Sequence, residues 1–206
     1  EKLSDIKMSA NWMVAAGYPG EDAALYATVQ AVGMELCPAL GITIPVGKDS
    51  MSMKTVWEEG EEEVSVVSPV SLIVSAFAPV NDVRETLTPE LKSAGSTLLL
   101  LELQESAGRL GGSIAQQVSG ALGGACPDVS DYSALEELWS WLQDQAVRAS
   151  IRSLHDRSDG GLIATVCEMM FAGGKGVMLE VAESEALDPF LFNEELGVIV
   201  EADSGA

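Results

Sequence analysis

Apolar residues recur at three- and four-residue steps through Leu25, Val29, Val32 and Leu36, a period that predicts a helix from Gly20 to about Leu36. Glu21 and Asp22 occupy its first turn, where carboxylates suit the positive end of the dipole, and Pro38 is expected to close it. A short strand, Ile42–Val46, then runs into the polar loop Gly47-Lys48-Asp49-Ser50. Val64–Val80 alternates β-branched residues with serines and reads as a long strand broken near Pro69. Asn81-Asp82 and Pro89 punctuate the chain, so the boundary is placed to give domains 1–88 and 89–206.

The second half opens on Thr97–Leu103, apolar enough to predict a strand buried on both faces. Helices are expected over Ser113–Leu122 and about Ser133–Ile151, the latter burying Leu135, Leu138, Trp139 and Leu142. A charged loop at His155 leads to a helix from Gly161 to about Phe171. Strands at Gly176–Val181 and Gly197–Ala202 flank a short helix around Pro189–Glu195. The mixture lacks strict strand–helix alternation, so the fold class is α+β.

Charge narrows the function classes. The formal net charge is −21, from 32 acidic and 11 basic residues, and such a surface repels a phosphate backbone. Nucleic acid is therefore excluded as a general partner, whereas a nucleotide held by metal ions and backbone amides is not. Glu58–Glu63 concentrates much of the charge and reads as a solvated hairpin tip. No run of eighteen apolar residues occurs, so no membrane span is expected. Cys37, Cys126 and Cys167 form no CxxC pair, which suggests neither a zinc site nor a disulfide framework and fits a reducing, cytoplasmic location. Beginning on Glu1, the sequence reads as a piece of a longer protein.

Chemistry concentrates in His155-Asp156-Arg157-Ser158-Asp159-Gly160-Gly161. Two carboxylates three residues apart can offer oxygens to magnesium, which takes few protein ligands and fills its shell with water and phosphate. The glycines permit close backbone approach, and the helix that follows points free N–H groups at an anion. The alternative is an aspartate cap with an incidental charged turn. Gly47-Lys48-Asp49-Ser50 suits phosphate contact, metal contact and hydrogen bonding, without the GxxxxGK[ST] spacing of a Walker loop; a hairpin turn with a surface ion pair is the alternative. Phe192-Asn193-Glu194-Glu195-Leu196-Gly197 reads either as carboxylates at a helix end near a site or, the preferred reading, as a solvated turn. Asn11 and Trp12 are a pocket amide and aromatic or simple packing, with packing preferred for Trp12. Nucleophilic catalysis finds no support: there is no GxSxG elbow and no catalytic cysteine context.

Five motifs in order, Ser9-Ala10-Asn11-Trp12-Met13, Pro19-Gly20-Glu21-Asp22-Ala23, Pro45–Met53, His155–Gly161 and Phe192–Gly197, resemble the phosphoribosylformylglycinamidine synthase family in its large bacterial form. Its superfamily includes aminoimidazole ribonucleotide synthetase, selenophosphate synthetase and thiamine-monophosphate kinase. The resemblance implies an aminoimidazole ribonucleotide synthetase-like fold. On it, residues 1–88 end an N-terminal subdomain of the second half, and 89–206 form most of a C-terminal α/β sandwich subdomain. It implies a glutamine amidotransferase that phosphorylates the amide oxygen of formylglycinamide ribonucleotide with ATP, after which ammonia displaces phosphate.

By match to the family motif, Asp156 is a Mg2+ ligand and Ser158, Gly47 and Lys48 are nucleotide contacts. Asp49 and Ser50 are substrate contacts, and His155 and Asp159 lie near the site without a role. The first half's glycine-rich segment, the glutaminase Cys and His, and further metal ligands are not in this sequence. ATP at a turnover site or ADP at a structural one therefore both remain open. The implied partners are the first synthetase half, the glutaminase domain or, in their place, a second copy in a homodimer. The sequence alone is expected to be inactive; the competing reading is a nucleotide-binding or interface module without turnover.

Overall fold

The computed structural model describes residues 2–103, 107–182 and 186–203 and divides the chain into two compact units, 1–81 and 82–206. In the first, β1 (Lys7–Met13) is central, parallel to β2 (Thr43–Ser50) and antiparallel to β5 (Ser71–Phe77). Between these lies the hairpin of β3 (Lys54–Glu59) and β4 (Glu62–Val67), whose tip sets Glu58 opposite Glu63 and Glu59 opposite Glu62. The acidic tip is solvated, as its composition predicts.

Helix formation in this unit runs past Pro38. α1 (Glu21–Gln30) continues through a π-helical stretch, Ala31–Leu36, into α2 (Cys37–Leu40), and the chain leaves the helix at Gly41. The Cys37 amide bonds the Val32 carbonyl, a wide turn that places Pro38 at the start of a new helical segment, where a missing N–H costs little. Among the described residues, this Glu21–Leu40 helix alone is long and apolar enough to cross a membrane by length and composition, with mean hydropathy 1.2. It nonetheless holds no eighteen consecutive apolar residues, because Thr28, Gln30 and Glu35 interrupt the run.

The second unit is built on an antiparallel sheet with β8 (Gly197–Ala202) between β6 (Thr97–Glu102) and β7 (Ile151–Asp156). α6 (Gly161–Gly173) lays Leu162, Val166 and Met169, one per turn, against Ile199 of β8 and Leu91. Leu98 and Leu100 of β6 join that face. β6 is an edge strand with alternating burial, and Leu99 is 44% exposed, so the expectation of burial on both faces fails. An antiparallel edge needs only one covered face.

Other boundaries shift for local reasons. α3 (Ile114–Ser119) is capped by Ser113 and ends before Gly120. The single helix expected to Ile151 is two, α4 (Tyr132–Gln143) and α5 (Gln145–Ser150). Asp144 takes an extended conformation and accepts from the amides of Ala146 and Val147, capping α5. Ile151 then begins β7. No strand forms at Gly176–Val181: Val177 packs against the core and Lys175 Nζ binds the carbonyls of Leu91 and Gly173, without ladder bonds to β6. α7 (Leu187–Phe192) precedes β8.

A second centre of this unit is polar. Glu201, fully buried, accepts from the amides of Lys92 (2.8 Å) and Ser93 (2.9 Å) and from the hydroxyls of Ser96 (2.7 Å) and Ser153 (3.0 Å). Burial opposes its charge, but these four donors together hold the carboxyl below the ordinary glutamate value.

Candidate functional site

β7 delivers the charged loop to the end of the sheet. His155 pairs with Ile199 across the ladder and so lies on the face that α6 covers. Its Nε2 is 3.1 Å from Glu168 Oε2 on α6; its Nδ1 is 2.8 Å from the Asp156 carbonyl oxygen and 3.3 Å from Asp156 Oδ1. Thr165, buried on α6, donates to the Asp156 carbonyl at 3.3 Å, anchoring the strand end to the helix.

From the last residue of the strand onward the side chains alternate. Asp156 is 69% exposed, Arg157 is buried and Ser158 is exposed. The Ser158 hydroxyl donates to Asp156 Oδ2 and, as the main cause, keeps that carboxyl below its ordinary value. The result is an ionised, outward-facing carboxylate paired with a hydroxyl at the start of a thirteen-residue helix. Among the described residues no group of three His, Cys, Asp or Glu side chains could enclose a metal. A single exposed carboxylate fits magnesium, which keeps most of its water and phosphate ligands, and does not fit a closed protein cage.

Arg157 points the other way. Its Nε donates to the Glu195 carbonyl (2.6 Å), its Nη1 to Glu102 Oε1 (2.7 Å) and its backbone N–H to the Gly197 carbonyl (2.8 Å). The Phe192–Gly197 segment is therefore no solvated turn. Asn193 and Glu195 are buried; Asn193 Nδ2 donates to the Pro189 carbonyl, and Arg109 grips the Glu195 carboxylate at 2.7 Å through both Nε and Nη2. That guanidinium holds the Glu195 carboxyl below its ordinary value. Glu194 Oε1 accepts from the amides of Gly160 (2.8 Å) and Ile114 (2.9 Å), at the starts of α6 and α3. Gly161 must be glycine here for the chain's own sake: a Cβ would lie 2.7 Å from the Asn193 carbonyl oxygen.

The second candidate takes a different form. Gly47-Lys48-Asp49-Ser50 is not a loop but the end of β2, paired with Ala10–Met13 of β1. A Cβ on Gly47 would fall 1.9 Å from the Ala10 carbonyl oxygen, so only glycine permits the pairing. Strand alternation sends Lys48 and Ser50 to one face, joined by Lys48 Nζ donating to Ser50 Oγ at 3.0 Å, and Asp49 to the other. A shallow cavity of about 240 Å³ is lined in part by Trp12, Lys48 and Asp49. Asn11 Oδ1, on the strand beside Lys48, is buried without a hydrogen-bond partner.

The structure thus brings Asp156, Ser158 and His155 together and joins Lys48 to Ser50. Arg109 and Glu168 escape the sequence reading because their partners lie on other elements, and the Phe192–Gly197 carboxylates follow its less favoured alternative, a place at a helix end.

Residues 93–204 match the family described as AIR synthase related protein, C-terminal domain, and residues 1–79 match the FGAR-AT PurM_N-like domain. The chain belongs to the AIR synthase related family. Among solved structures, E. coli HypE is 22% identical with TM-score 0.60, covering 97% of this chain and 59% of its own. Phosphoribosylformylglycinamidine synthase II from Thermotoga maritima is 11% identical with TM-score 0.54, covering 96% and 29%. T. maritima PurL complexed with ADP is 10% identical with TM-score 0.54, covering 98% and 30%. The chain therefore spans about three-fifths of the HypE structure and three-tenths of the synthase structures. At these identities the likeness establishes the aminoimidazole ribonucleotide synthetase-like α+β fold.

Proposed function

We propose that this chain is the second synthetase-like portion of a phosphoribosylformylglycinamidine synthase, read as residues 1–88 and 89–206 of two subdomains. The observation that carries the reading is the match of residues 1–79 to the FGAR-AT PurM_N-like domain. The whole enzyme would use ATP, glutamine and water to convert formylglycinamide ribonucleotide to the amidine in purine biosynthesis. It would do so with a first synthetase half and a glutaminase domain as partners, in the cytoplasm. Three free thiols among the described residues suit that reducing location.

In this reading Asp156 offers its ionised carboxylate to magnesium, and Ser158 keeps oxygen lone pairs for a nucleotide. A bound magnesium ion supplies charge neutralisation at the phosphates. Lys48 approaches nucleotide phosphate from one strand face with the Gly47 backbone beside it, while Asp49, on the other face, and Ser50 contact substrate. ADP in T. maritima PurL supports nucleotide binding by this fold, at a turnover or a structural site.

Calorimetry with magnesium and ADP or ATP tests the site. Saturable, magnesium-dependent binding that Asp156→Ala weakens at least tenfold is expected, and binding unchanged by that substitution overturns the assignment. The chain alone is expected to make no amidine; ammonia-dependent product from it would overturn the composite-site reading.

A second reading rests on a separate observation: the E. coli HypE structure has about twice the identity of the T. maritima synthase. It would place the chain in another ATP-using branch of the family, and failure of formylglycinamide ribonucleotide to bind beside a bound nucleotide would favour it.

A further inference from the structure

We propose that Arg157, Glu194 and Glu195 are positioning residues for the Asp156–Ser158 pair; this rests on the reading of that pair as the magnesium and nucleotide contact. None of the three side chains bonds to the Asp156 or Ser158 side chain. They act from beneath. The Arg157 side chain is 1% exposed and held by a carbonyl and a carboxylate. It cannot turn outward without losing two charge-assisted bonds in a buried setting. Because it is fixed inward, alternation forces Asp156 and Ser158 outward.

The carbonyl that takes Arg157 Nε belongs to Glu195, whose own carboxylate is fixed by both nitrogens of the Arg109 fork. Glu194 holds the other end of the loop. One of its oxygens accepts from Gly160 and Ile114, so the turn before α6 and the start of α3 share a single acceptor. Adjacent glutamates thus tie down both ends of a loop that is otherwise held by Thr165 at the Asp156 carbonyl and by the Arg157 and Gly161 amides. An outward carboxylate–hydroxyl pair is useful only if held to within a fraction of an ångström, and supporting residues of this kind typically govern metal affinity by ten- to a hundredfold.

The test uses the 206-residue chain with Arg157→Lys, Glu194→Ala and Glu194→Gln. Amide hydrogen exchange without ligand reads the loop, and magnesium–ADP affinity reads the pair. Arg157→Lys and Glu194→Ala are expected to speed exchange at residues 158–161 about tenfold and to weaken affinity about tenfold. The β6–β8 ladder and the rest of α6 should stay protected. Glu194→Gln, which keeps an acceptor oxygen, should restore most of both. In an Asp156→Ala background the affinity penalty should vanish, a coupling that general destabilisation would not produce.

Unchanged exchange at 158–161 in Glu194→Ala, or a penalty that persists without Asp156, overturns the proposal. Should the wild-type chain bind no nucleotide, the functional reading of the pair falls, while the exchange data still decide whether these residues fix the loop. Should Arg157→Lys fail to fold, the two Glu194 variants carry the test.

Discussion

The two units spend their apolar residues differently. In 82–206, Met169 is fully buried and Ile199 is 1% exposed, and α6 covers the sheet face that carries Leu98, Leu100 and Ile199. In 1–81, Val46, Ile73 and Phe77 of β2 and β5 are each more than half exposed, and Tyr26 and Met34 of the long helix are more than 70% exposed. Burial there falls to small residues, Ala10, Val14 and Ala15, with Cys37 and Leu40. A sheet is stable when one face is covered, and the second unit covers its sheet with large residues, although it exposes Phe171 and Met178 elsewhere. In the first, the apolar residues left exposed on β2 and β5 are surface of the kind that marks interfaces.

The largest expected contrast comes from truncating one residue in each unit. Met169→Ala should cost about 3 kcal/mol, whereas Ile73→Ala should cost only about 0.5 kcal/mol in urea unfolding. Equal costs would break the contrast. Next, Glu201→Gln should cost about 2 kcal/mol, since an amide replaces the acceptor of four donors and turns an N–H₂ toward some of them. A loss confined to the 82–206 transition would sharpen the contrast.

The third expected effect depends on pH. Glu195's folded pKa lies below its unfolded value of about 4.3. Its stabilisation is therefore full above that pH and is lost as pH falls toward the folded value. Acid titration of the 82–206 transition should show this loss, and Glu195→Gln should flatten the profile below about pH 4.3. The smallest effect belongs to the first unit. Glu62→Lys would replace the like-charge pair with Glu59 by an opposite one and should stabilise the hairpin by about 0.3 kcal/mol, read as slower amide exchange in β3 and β4.

Much of the second unit was legible in the sequence. Gly197–Ala202 and the helix from Gly161 end close to where expected; in the first unit, the hairpin tip follows from its charge. Lys48, Asp49 and Ser50 were misread as a loop because polar residues resemble loop composition. They are strand residues because β1 pairs with them, and that pairing depends on Gly47 meeting a carbonyl more than thirty residues away. The break at Asp144 was hidden because an aspartate inside an amphipathic run looks like a surface residue until its side chain caps the next helix.

The sequence by itself determined the aminoimidazole ribonucleotide synthetase-like superfamily and the α+β class and singled out the charged loop at His155–Gly161, because local spacing and motif order encode them. Tertiary structure decided which residue of the charged loop turns inward, and that Glu194 and Glu195 are anchors instead of surface charges. Those outcomes depend on Arg109, Ile114 and Glu102, which approach only when β6, β7 and β8 assemble. No local pattern records which distant donor a buried carboxylate will meet.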